Sequence, residues 1–158
     1  MPNRLRTLAF VTLLSAVAAG ALAAPPDPAT GTWKLNVAES KYSPGPAPRS
    51  QTRTYKETNG AVALTFTQVS ASGRETSGAS TFRYDGKDYA ISGSSFYDTI
   101  AVRRIDERTV ESMQKKAGMM IGTTTRTVSS DGKRMTMVAK GITESGTPFE
   151  NTQVFDRL

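Results

Sequence analysis

Residues 58–69 read TNGAVALTFTQV. Asn59-Gly60 supplies the two positive φ angles of a tight hairpin turn. After it, Val62, Leu64 and Phe66 share one face, with the period of two expected of a half-buried strand. The same unit recurs along the chain. Turn signals fall at Ser72-Gly73, Asp85-Gly86, Gly93-Ser94, Asp106-Glu107-Arg108, Ala117-Gly118, Asp131-Gly132 and Ser145-Gly146. Between them the residues alternate. Met135, Met137 and Ala139 oppose Arg134, Thr136 and Lys140; Trp33, Leu35 and Val37 oppose Thr32, Lys34 and Asn36. Threonine is abundant, and its β-branch suits strands.

This spacing predicts about ten strands (8–10), at 31–37, 50–58, 61–70, 75–84, 87–92, 97–105, 109–116, 118–128, 133–141 and 147–157. Little or no helix is expected. Nearly every connection is hairpin-short, so each strand lies beside its sequence neighbour. A long meander leaves two edges open, and closure into a barrel removes them. The fold class is therefore all-β, an antiparallel up-and-down barrel over residues 31–158. A sandwich is the alternative architecture, but only one long connection exists to serve as a crossover. That connection is AESKYSPGPAPRS, 38–50, whose Pro44, Pro46 and Pro48 do not suit a ladder or a helix interior. It reads either as a stiff strap across one end of the barrel or as a lid. An outer-membrane barrel would need apolar outward faces and aromatic girdles. Here those faces carry Arg, Lys, Glu and Thr.

Ahead of the barrel, MPNRLR is followed by the apolar run TLAFVTLLSAVAAGALA. Ala21-Leu22-Ala23 forms a small-residue cleavage site, so residues 1–23 read as a secretory signal peptide with the mature chain starting at Ala24. Residues 24–30, APPDPAT, are a Pro-rich lead. The Ala-rich signal points to a periplasmic or secreted bacterial protein without stable membrane insertion. Loss of Arg4 and Arg6 lowers the formal charge from +6 to +4. The remaining basic residues are scattered rather than clustered, which argues against nucleic acid as a partner.

With the meander in place, GTWKLN at 31–36 gains meaning. A Gly-x-Trp, Gly31 and Trp33, on the first strand resembles the opening of the calycins, the lipocalin and fatty-acid-binding-protein superfamily. The string GTWKLNVAESKYSPGPAP at 31–48, with YDGKDY at 84–89 and SDGKRMT at 130–136, is similar to a group of secreted bacterial lipocalin-like proteins. The resemblance implies a closed barrel end at Trp33, covered by a basic side chain from late in the chain, for which Arg157 is the candidate. It also marks a departure. Where fatty-acid-binding proteins hold a carboxylate with Arg-x-Tyr, this chain has Gln153-Val154-Phe155.

Composition restricts the chemistry. The sequence has no histidine and no cysteine, which removes His-based acid–base catalysis, Ser-His and Cys-His nucleophiles and the usual zinc sites. Its fourteen carboxylates fall mostly in turns or on outward faces, so no enzyme activity is expected and no cofactor. The inward faces say more. Phe149, Asn151, Gln153 and Phe155 share one face of the last strand, and Val110, Ser112 and Gln114 share another. Amides on an inward face fit an apolar lumen with a few polar groups, as small-molecule sites are composed. They also fit a wet core with trapped water. Met113, Met119, Met120, Met135 and Met137 fall on three successive strands. Thioethers suit a pocket for flexible apolar ligands, a packed core wall or, as a sharper alternative, Cu(I). On strand 118–128 either Met119 and Ile121 or Met120 and Arg126 face inward.

The expected function is a monomeric, non-catalytic barrel that binds a small apolar or amphipathic ligand. Its candidate ligand residues are Phe66, Gln114, Met119, Arg126, Met135, Met137, Asn151, Gln153 and Phe155. The competing reading is a rigid envelope interaction module with a filled core, facing a protein or an acidic polymer.

Overall fold

A computed structural model describes residues 26–158. The signal-peptide reading therefore lies outside the described residues. Asn59 and Gly60, at φ 51° and 72°, form the turn that the Asn-Gly pair predicts. They join β3 (Ser50–Thr58) to β4 (Ala61–Val69) with Thr58 opposite Ala61. The other strands are β1 (Gly31–Leu35), β2 (Lys41–Ser43), β5 (Glu75–Phe82), β6 (Asp85–Ala90), β7 (Thr99–Arg104), β8 (Thr109–Lys116), β9 (Met119–Val128), β10 (Arg134–Ile142) and β11 (Pro148–Arg157). Every paired neighbour is antiparallel, and the described residues contain no helix.

The sheet runs β5-β4-β3-β1-β11-β10-β9-β8-β7-β6. The meander thus joins its first and last strands, with Trp33 opposite Arg157 and Leu35 opposite Phe155. The seam falls instead between β5 and β6, consecutive in sequence. A single bridge, Ser80 to Ile91, stands there, reinforced by the Ser92 N–H donating to the Ala79 carbonyl at 2.9 Å and the Ser80 hydroxyl to the Ala90 carbonyl at 2.8 Å. The result is a nearly closed barrel.

Two expected features differ. Asp85-Gly86 is not a hairpin turn; it opens β6, where the register against β7 shifts between Asp85 and Asp88. Val37 does not continue the Trp33–Leu35 face. The strand ends at Leu35, the chain turns, and Val37 is exposed.

The seam depends on the lack of side chains at two positions. A Cβ at Gly78 would collide with the Ser92 carbonyl oxygen and the Phe66 ring, and one at Gly93 with the backbone of Ser77 and Gly78. The chain after β6 therefore rests directly on β5. Gly78→Ala is expected to lower stability by about 1–3 kcal/mol through overpacking. Urea unfolding of the two proteins measures it.

The core lies at one end. Trp33, Tyr55, Phe155, Met135, Val62 and Val128 are fully buried. The Pro-rich lead folds into this end, with Asp27 and Ala29 buried. The Trp33 Nε1–H donates to the Ala29 carbonyl at 2.7 Å. The Arg157 guanidinium lies 4.2 Å from the Trp33 ring centroid and donates to the carbonyls of Thr30, Pro28 and Gly132, each at 2.6 Å.

Residues 38–50 run from β1 to β3 by way of the barrel mouth. Within this segment β2 pairs with β11, Tyr42 opposite Asn151 and Ser43 opposite Glu150. Nothing in the proline pattern announces this short strand. Beyond it, Pro44, Pro46 and Pro48 form part of the barrel mouth.

Candidate functional site

Strand alternation sends every second side chain inward. Along β3 these are Gln51, Arg53, Tyr55 and Glu57; along β4 they are Val62, Leu64, Phe66 and Gln68, because the turn places Gln51 opposite Gln68 and Arg53 opposite Phe66. The closed end is filled to the level of Trp33. Above it the barrel encloses a cavity of about 1120 Å³. The mouth, opposite Trp33, is bounded by the proline-rich segment, the β4–β5 turn, the 93–97 segment and the start of the β10–β11 turn.

Phe66, Gln114, Arg126, Met137, Asn151 and Gln153 line this cavity. Three other candidates do not. Met135 and Phe155 face inward but pair with each other across β10 and β11. They are fully buried in the cluster around Trp33, below the lumen. Met119 is 69% exposed at the tip of the β8–β9 hairpin. The either-or choice for β9 dissolves at a bulge. Register shifts between Gln114 and Lys115, so Ile121 and Arg126 both line the cavity, while Met119 and Met120 stand exposed on the rim. The methionines consequently do not converge. Met113 pairs with Ala101 and Thr123, on the face of β8 opposite Ser112 and Gln114, and only Met137 among the five lines the cavity.

The polar wall has two kinds of group. Some are satisfied: the Gln114 Nε2–H₂ donates to Ser112 Oγ at 3.0 Å and to Thr124 Oγ1 at 2.9 Å, and Asn151 Oδ1 accepts from the Ser43 N–H at 3.1 Å. Others have no partner. Gln51 Oε1, Arg126 Nε and the Tyr42 hydroxyl are buried without one, and Tyr42 stands beside Gln153 without a well-formed bond. Burial raises the Tyr42 phenol above its usual value. Buried polar atoms are nearly always satisfied by protein or water. These three orphans all line the cavity and mark where a guest or ordered water belongs.

Two arginines enter the lumen with different surroundings. Arg126 is 5% exposed and paired: its Nη2 donates to both Asp27 oxygens, at 3.1 and 3.3 Å, and to the Tyr84 hydroxyl at 2.9 Å. The Tyr84 hydroxyl in turn donates to Asp27 Oδ2. Burial works to raise the Asp27 pKa, but Arg126, the Tyr84 hydroxyl and the Ala29 N–H outweigh it and hold the carboxyl below its usual range. Arg53 has no carboxylate within ion-pair distance among the described residues. Its Nε–H donates to the Tyr55 hydroxyl at 3.1 Å. Its guanidinium lies 5.6 Å from the Phe66 ring centroid and 6.0 Å from that of Tyr55.

Arg53, Gln51 and Tyr55 are absent from the sequence-derived candidates. Strand 50–58 has no apolar face to draw attention to it. A usable signal does exist: the two-residue Asn59-Gly60 turn sets the register, and carrying it back from Phe66 and Leu64 places Arg53 and Tyr55 on the inner face.

No family model matches the chain, and no curated protein matches it. Among solved structures it is similar to a redesigned β-barrel, mFAP1, bound to DFHBI, at 11% identity over 82% of this chain and 95% of that one, with a TM-score of 0.42.

Proposed function

We propose that this protein is a non-catalytic container that binds one small, largely apolar ligand in the barrel lumen. The observation that carries this is the cavity of about 1120 Å³, open at one end and walled by Leu64, Phe66, Ile91, Met137 and Phe149 with a few inward polar groups. Its apolar wall with a few polar groups has the composition of small-molecule sites, and its volume lies just above their usual range. A rigid interaction module would have side chains filling that space, so the open lumen favours the container. The calycin-like reading is ours as well, supported by a nearly closed antiparallel barrel with a Trp–Arg plug. So is the placement outside the cytoplasm, which rests on the signal-like residues 1–23. The outward faces of the strands carry Thr and charged residues, which supports a monomer in water rather than one in lipid.

Native mass spectrometry of protein purified from its own host tests the reading. A retained small molecule, or fluorescence enhancement of an apolar dye at one site per chain, is the expected result. A bare mass with no dye uptake would refute it.

A further inference from the structure

The container reading leaves the chemistry of the guest open, and the inner face of β3 narrows it. We infer that the lumen is built for an aromatic acid whose anionic group pairs with Arg53. The inference rests on the container reading and adds a charge and a shape to it.

The charge follows from accounting. Four charged side chains line the cavity: Arg53, Arg74, Glu75 and Arg126. Arg74 and Glu75 are exposed at the mouth. Arg126 is balanced by Asp27. Arg53, half-buried in the lumen wall, alone brings in a charge with no carboxylate in reach among the described residues, and a guest that displaces water from it must answer that charge. Its donors are forked, which suits a planar carboxylate or a sulfonate. The tyrosines around it report the same field. Burial works to raise the Tyr55 phenol, yet Arg53 and then Arg126 outweigh burial and hold it below its usual value. Arg53 also works to lower the phenols of Tyr42 and Tyr97, but there burial prevails and both stand above their usual value.

The shape follows from the wall. Phe66 and Tyr55 flank the Arg53 guanidinium, and Tyr42, Tyr97 and Phe149 line the same space. Such rings favour a planar guest by offset or edge contacts. Gln51 Oε1 and the Tyr42 hydroxyl, both without partners, argue against a long alkyl acid. An alkyl chain would cover those atoms without bonding them, a desolvation that costs affinity. A ring bearing hydroxyl groups would answer them.

Two dyes separate the claims. Anilinonaphthalene sulfonate and N-phenylnaphthylamine share one ring system and differ by the sulfonate. The wild-type protein is expected to bind both, the sulfonate at least tenfold more tightly. Arg53→Met should weaken the sulfonate at least tenfold and leave the neutral dye within twofold. Arg53→Lys should restore part of the loss. Hydroxycinnamate should displace the bound sulfonate at a concentration at least tenfold below that needed for decanoate. Unchanged Trp33 emission checks that each variant is folded. Equal affinity for the two dyes, or no effect of Arg53→Met in a folded protein, would overturn the anion site while the container stands. Decanoate as the better competitor would overturn the aromatic guest. If neither dye enters, container and guest fall together.

Discussion

Asp27→Ala is expected to lower stability by about 3–5 kcal/mol. Asp27 lies in the Pro-rich lead, ahead of the first strand, yet its side chain is 1% exposed and that of Arg126 is 5% exposed. Asp27 is the only carboxylate within ion-pair distance of Arg126 among the described residues. Removing it leaves a guanidinium that cannot give up its proton and has no counter-ion under the Tyr55 ring, 4.7 Å from its centroid. Urea unfolding at neutral pH measures the loss. The double variant Asp27→Ala with Arg126→Met should be more stable than Asp27→Ala alone, because it removes the stranded charge as well. Acid adds a second readout. The folded Asp27 pKa is depressed below the ordinary 3.8. Its ionisation therefore stabilises the fold fully above the unfolded value and ceases to do so as pH falls through the folded value. Below about pH 3.8 the wild-type protein should lose stability more steeply than Asp27→Asn.

Trp33→Ala should cost a similar amount, about 3–5 kcal/mol. The side chain is fully buried and fills the closed end. Its loss removes the apolar contacts with the surrounding core, the indole bond to the Ala29 carbonyl and the platform for Arg157. Trp33→Phe keeps most of the volume and should lose less. Trp33 is not among the residues lining the cavity, so dye affinity, measured where the variant remains folded, should stay within about threefold, less than half the free energy of a tenfold change. A collapse of affinity in a folded Trp33→Ala protein would show that the plug also shapes the lumen.

The architecture was legible because hairpin turns of this kind carry their geometry in few residues. Asn59-Gly60, Ala117-Gly118 and Asp131-Gly132 each sit at a reversal between strands. Two elements escaped for physical reasons. β2 is three residues long and exists through pairing with β11, which no local pattern encodes. The Asp85-Gly86 pair resembles a turn in sequence because positive φ serves bulges as well as hairpins. The cavity wall was partly legible. Asn151 and Gln153 stand between Phe149 and Phe155 on one face of β11, so their inward direction follows from alternation, and Val110 gives the same cue for Gln114. Arg53 and Tyr55 stand on a strand without one. Asp27 gave no sign at all: a lone aspartate between prolines reads as solvent-exposed until the fold brings Arg126 to it.

The clamp by which Arg157 grips the carbonyls of Pro28 and Thr30 joins residues 129 and 127 positions apart. Contacts of such separation are formed late, because the loop they close must lose its entropy first. A ribosome delivering this chain from its N-terminus would hold every hairpin from β3 to β10 before it delivered Arg157. Until then β1 would lack β11, and the plug would lack its cover. The barrel is thus a structure whose first strand waits for β11, with the plug uncovered until the two ends of the meander meet.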